Sequence, residues 1–158
     1  MTKTANKAKP KEAILIKTGD QETYQGYPVI KTLTGAIRIL IIEEGATPKP
    51  QLFSQGFRWL DRWDMIAPFR PYRELAADLV KGKTEKEIAT LQIGDLRVPV
   101  FDPRLVFIKS TPETRKLWEI YEKHKNSWDP RIAFLAAVWE TKPLIKPLPA
   151  GRWIDTNG

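Results

Sequence analysis

The seven residues Ala36–Ile42 (AIRILII) constrain this chain more than any other segment. They are nearly all apolar, rich in β-branched side chains and bounded by Gly35 and Gly45, which suits a strand. Without polar alternation, both faces of that strand need cover, as in the middle of a layered sheet. The cover is legible downstream. Thr111 is a good N-cap, Pro112 fits the first helical position and Glu113 suits the positive end of the dipole. Thr114, Leu117, Trp118 and Tyr121 then recur at helical spacing and define a buried face. Asp129-Pro130 repeats the device before RIAFLAAVWE, which is apolar on most sides and is expected to lie deep.

Further strands are expected at Ala13–Lys17, Asp64–Ala67, Leu96–Val100 and Leu105–Lys109, and Tyr27–Leu33 reads as a strand in preference to a short helix. A short helix is expected over Gln51–Trp59, after the extended Thr47-Pro48-Lys49-Pro50 exit. Another runs from Pro71 to about Lys81, and Thr84 with Glu87 forms a capping box for a third. LIKPLPAGRW reads as an extended strand or closing strap rather than a polyproline ligand. Strands interspersed with helices favour α/β: a single compact layered domain over residues 12–158, with a mixed sheet flanked by helices. Whether Ala13–Ile42 holds parallel strands or an antiparallel meander stays open. Residues 1–11 are lysine-rich and short of core formers, and read as a flexible basic arm.

Charge and composition narrow the function classes. The formal net charge is +7, with Lys3, Lys7, Lys9 and Lys11 ahead of the first acid, Glu12. A solubilising tail on a mildly basic domain explains this better than a dedicated nucleic-acid site. No apolar run is long enough to span a bilayer, and the N-terminus lacks a signal-peptide core. With no cysteine and one histidine, disulfides and zinc sites are not expected, and a reducing, cytoplasmic setting is compatible.

Three constellations carry chemistry. Glu43-Glu44 follows the strongest strand, and ligands gather beyond the carboxyl ends of strands in α/β sheets. The pair offers oxygen ligands to a divalent cation, or is simply two solvated acids. Arg58, Arg62, Arg70 and Arg73 are interleaved with Phe57, Trp59, Trp63, Phe69 and Tyr72. That pattern suits single-stranded nucleic acid or a nucleotide diphosphate, and equally an amphipathic structure with buried rings. His124, beside Lys123 and Lys125, is explained by a helix C-terminus. Neither a Walker pattern nor GxGxxG is present.

Five pieces stand in order: ILIIEEGATPKPQLF (39–53), DMIAPFR (64–70) with Glu74-Leu75, FIKSTPETRKLW (107–118), DPRIAFLAAVW (129–139) and PLPAGRW (147–153). Together they resemble the smaller nucleotide-diphospho-sugar transferases of GT-A type. That family commonly has a strand ending in a DxD-like motif, a proline-containing link to a short "LF" helix, a "D-I-A-x-P-x-R" strand, a "T-P-x-T-R-x-L" step and a terminal "L-P-x-x-W". The resemblance implies a GT-A-like fold, a nucleotide sugar and an acceptor as partners, and Mn²⁺ or Mg²⁺ held by Glu43 and Glu44. It implies Arg70 on the diphosphate, Glu74 on the sugar and Asp129 in acceptor activation. Gly45 stands where the motif's second aspartate belongs, which removes a cation ligand. The alternative expectation is a non-enzymatic basic module that binds nucleic acid or a protein assembly through the lysine tail and the Arg/aromatic region.

Overall fold

In the computed structural model the AIRILII run becomes a central strand. Residues 9–43, 46–69, 75–80, 82, 84, 87, 92–95, 97–98, 100–149 and 154–156 are described. The strands are β1 (Glu12–Leu15), β2 (Thr23–Tyr24), β3 (Tyr27–Ile30), β4 (Arg38–Ile42), β5 (Ala46–Pro48), β6 (Met65–Phe69), β7 (Leu105–Lys109), β8 (Ile145–Pro149) and β9 (Ile154–Thr156). The helices are α1 (Pro50–Trp59), the single turn α2 (Ala76–Leu79), α3 (Pro112–His124) and α4 (Pro130–Thr141).

A seven-stranded sheet runs β2-β3-β1-β4-β7-β6-β8, and β5 pairs with β9 in a separate ribbon. β1 is parallel to both β3 and β4, so the N-terminal strands are not a meander. β7 is antiparallel to β4 and β6, whereas β6 and β8 are parallel, which makes the sheet mixed. The edges are blunted: β2 has two residues, and β8 carries Pro147 and Pro149.

Strand alternation sorts the core into two layers. Ala13, Leu15, Ile39, Ile41, Val106 and Ile108 meet Leu117, Trp118 and Tyr121 of α3 and Ala133, Phe134 and Ala137 of α4. Ile14, Leu40, Ile66, Leu105 and Phe107 face the other way, against Leu52, Phe53 and Phe57 of α1. The compact α/β character and the double burial of the central strand are thus observed. The reverse side of α4 (Ile132, Leu135, Ala136) packs on Ala76, Val80, Ile93 and Val100, so this helix lies deep as its composition requires.

Local punctuation behaves as the residue types dictate. Thr111 Oγ1 accepts from Thr114 N (3.2 Å), and Thr111 N donates back to Thr114 Oγ1 (2.9 Å). Asp129 Oδ1 accepts from Arg131 N (2.9 Å). One expectation fails: the described residues of 96–100 form no strand. Val100 is buried, Asp95 Oδ1 accepts from Arg97 N in a tight turn, and Ala76 N takes the Val98 carbonyl. Val98 and Val100 pack beneath α4, and the described backbone bonds go to the 95–97 turn and to the start of α2. Of the expected Pro71 helix, residues 75–80 are described and the helix covers Ala76–Leu79, with Leu75 rather than Pro71 at its start. Thr84 and Glu87, expected as a capping box, are both helical. Residues 71–74 and residues 1–8 of the basic arm lie outside the described residues. Among the described residues no helix is long and apolar enough to cross a membrane.

Candidate functional site

β1, β3 and β4 end on one edge of the sheet. The chain visits β3 on one flank of β1 and then returns to β4 on the other, so a topological switch lies at the carboxyl end of β1. Leu15 pairs with Ile30 and Ile41, and Lys17, Thr32 and Glu43 each lie two residues further along. These three positions therefore stand side by side at the carboxyl edge, where Lys17 and Thr32 line a cavity.

Glu43 is tethered there by its backbone N–H, which donates to Arg104 O (2.7 Å). Its side chain is part-buried, and the Tyr121 hydroxyl lies 3.4 Å from each carboxylate oxygen. The Tyr121 ring is locked below the edge by Trp118 (4.7 Å between centroids) and Phe134 (5.8 Å), so its hydroxyl is presented in a fixed place. Burial raises the Glu43 pKa; Lys125, the tyrosine hydroxyl and Lys17 oppose that rise, and Glu122 adds to it. Burial and the Glu43 charge push the Tyr121 phenol far above its ordinary range, so it remains a donor.

Glu122, one turn along α3 from Trp118, pairs with Lys17, lies 3.6 Å from Lys125 Nζ and accepts from Trp118 Nε1 at 3.0 Å. Burial pushes its pKa up, but Lys17 and Lys125 outweigh that and hold it below the usual carboxylate range.

Two Asp-Pro-Arg tripeptides flank this cluster with the same geometry. Asp102 accepts from Arg104 N (3.0 Å) and from its guanidinium (2.7 Å), and Asp129 accepts from Arg131 N (2.9 Å) and its guanidinium (3.0 Å). Arg104 lies within electrostatic reach of both Glu43 and Arg131. Glu43 thus has the Asp102–Arg104 pair beside it, and the Asp129–Arg131 pair lies within electrostatic reach of Arg104, so these groups form a charged rim in series.

Beside the rim is a cavity of about 320 Å³. Leu15, Leu33 and Trp118 form its apolar part, and Lys17, Lys31, Arg115, Glu119 and Glu122 its polar part. Arg115, Trp118, Glu119 and Glu122 recur on one face of α3, next to the buried stripe. Lys31 Nζ donates to Ile16 O (2.8 Å) and Gly19 O (3.0 Å), which folds the chain after β1 across the opening. Lys17, Lys31, Arg115 and Glu122 are site residues that sequence motifs did not single out. The available signal was the charged flank of the α3 stripe and the first charged residue after each short apolar strand.

The other expected residues fare differently. Arg70, Glu74 and Glu44 lie outside the described residues. Phe57 is in the core, edge-on to Phe107 at 5.1 Å. Trp59 and Trp63 pack under Lys146, whose Nζ lies 5.1 and 5.6 Å from their ring centroids, while Arg58 and Arg62 are exposed. These rings belong to the α1 layer, on the sheet face opposite α3. The His124 ring stacks on Trp128 at 4.2 Å.

Among the described residues the donors around Glu43 do not match a divalent cation; Glu44, its expected co-ligand, lies outside them. Among the described residues no three His, Asp or Glu side chains are grouped to hold one. Glu43 is surrounded by a hydroxyl and lysines, and Asp102, Glu122 and Asp129 each have a basic partner. No protein-family model matches this sequence, and neither a curated protein nor a solved structure matches it significantly.

Proposed function

We propose that this chain is a glycosyltransferase-like domain of GT-A type that binds a nucleoside-diphosphate sugar at the carboxyl edge of β1, β3 and β4. The observation that carries the reading is the position of Glu43. It ends a central parallel strand, is part-buried beneath the Tyr121 hydroxyl, and lies beside a partly apolar cavity at a topological switch. The ordered pieces that resemble the transferases place the same glutamate at the family's acidic motif.

In the reaction this implies, the acceptor oxygen attacks the anomeric carbon, the bond from that carbon to the diphosphate breaks, and the nucleoside diphosphate leaves. Glu43, oriented by Tyr121, accepts a sugar hydroxyl. Asp129 is the candidate base for the acceptor proton; it is held by Arg131, so proton transfer to it requires that clamp to loosen. Mn²⁺ or Mg²⁺ remains the resemblance's expectation for Glu43 with Glu44, and no step above is routed through a metal. Arg70 and Glu74 keep their assignment to diphosphate and sugar on resemblance alone.

Thermal unfolding with UDP- and GDP-sugars, with and without Mn²⁺, tests the reading. Saturation at a hundred times Kd stabilises by about 2.7 kcal/mol, and Glu43→Ala is expected to weaken that response. Failure of every sugar nucleotide to stabilise the protein, together with salt-sensitive binding of single-stranded RNA or DNA, favours the basic-module alternative instead.

A further inference from the structure

Resting on that reading of the edge, we propose that Lys17, Lys31 and Arg115 neutralise the ligand's phosphates and that binding requires no divalent cation. The three bases line one cavity, over an apolar part formed by Leu15, Leu33 and Trp118. They come from three separate segments: the residues after β1, the residues after β3, and the first turns of α3. A nucleotide suits this layout. The base lies against Leu33 and the accessible edge of Trp118, and the anionic groups reach the basic rim.

Each base has capacity for an anion. Arg115 has five N–H donors, and the described bond from its side chain goes to Ser110 Oγ (3.0 Å). The rest of its planar fork fits two phosphate oxygens. Lys31 uses two of its three ammonium donors on the Ile16 and Gly19 carbonyls, so it is held in place with one donor left. Lys17 is paired with Glu122, but Glu122 also has Lys125 and Trp118 Nε1. Lys17 can therefore exchange a carboxylate for a phosphate without leaving Glu122 unpartnered.

The acidic side of the rim supports the same conclusion. A cation site needs carboxylates that are free to converge. Among the described carboxylates, Glu122, Asp102 and Asp129 are matched to Lys17, Arg104 and Arg131, and Glu43 meets the Tyr121 hydroxyl with lysines nearby. Fixed guanidinium and ammonium groups do the electrostatic work that a metal does in a metal-dependent transferase.

Calorimetric titration of the full chain with UDP and with inorganic pyrophosphate, in EDTA and in Mn²⁺, tests this. The expected result is binding in EDTA that Mn²⁺ does not tighten. Lys17→Met and Arg115→Met are each expected to weaken it at least about tenfold, and Lys116→Met, on the exposed side of α3, to leave it unchanged. Circular dichroism of the variants checks that they remain folded. Binding seen only with Mn²⁺ overturns the inference and leaves the transferase reading intact. Binding in EDTA that is indifferent to Lys17 and Arg115, or that falls equally with Lys116, also overturns it. Pyrophosphate binding in EDTA through these bases, with no sugar nucleotide bound, supports the anion site and removes the transferase reading. No binding in either buffer removes both.

Discussion

Gly56 and Glu43 show how single side chains are set by opposite constraints. Gly56 lies within α1 where the Phe107 ring comes up from the sheet, and a Cβ there would land on Phe107 Cζ. Alanine is favoured over glycine in a helix by about 1 kcal/mol, but the clash is the larger effect. Gly56→Ala is therefore expected to destabilise by about 1–3 kcal/mol in denaturant unfolding, and Phe107→Leu in the same chain to relieve part of that strain. At Glu43 the constraint is electrostatic. Its folded pKa is raised, so between the unfolded and folded values the native state holds more protons, and stability falls as pH rises through that window. Glu122 has the reverse sign: its folded pKa is lowered, and its contribution is lost as pH falls. Melting temperatures across acidic to neutral pH should show Glu43→Gln gaining on wild type towards neutrality, and Glu122→Gln losing. Equal offsets at every pH would contradict both assignments.

At the scale of elements, the starts of α3 and α4 were legible and the strand pairings were not. A cap is a contact between residues two or three apart, so Thr111 with Thr114 and Asp129 with Arg131 are written into adjacent letters. Thr111→Ala is expected to cost about 1 kcal/mol by chemical denaturation. Asp129→Asn keeps an acceptor for the Arg131 N–H and should cost less than Asp129→Ala; if Asp129 also takes the acceptor proton, Asp129→Asn should abolish transfer while preserving the fold. The parallel pairing of β1 with β3 was hidden because a register such as Ile14 with Val29 depends on what the intervening segment does, not on either strand's composition. The 96–100 segment misled for the opposite reason. Its apolar residues are spaced like a strand's, but Val98 and Val100 fill the space beneath α4.

The whole molecule explains why only part of the site could be read beforehand. Glu43 was visible because it directly follows the strongest strand, and Asp129 because it starts a helix. Lys17, Lys31 and Arg115 become neighbours only when β1, β3 and α3 assemble on one sheet face, and nothing in their local sequence marks them. The Arg/aromatic region drew notice through density, but Phe57, Trp59 and Trp63 are packing elements of the α1 layer and Phe69 packs on Phe101. The central claim is that the carboxyl edge of the parallel strands is the ligand site. Amide chemical-shift mapping during a titration with UDP- or GDP-sugar tests it most directly. The expected shifts cluster at residues 15–17, 31–33, 43 and 115–122; shifts confined to the α1 face around Trp59 and Trp63, or none at saturating ligand, would contradict it.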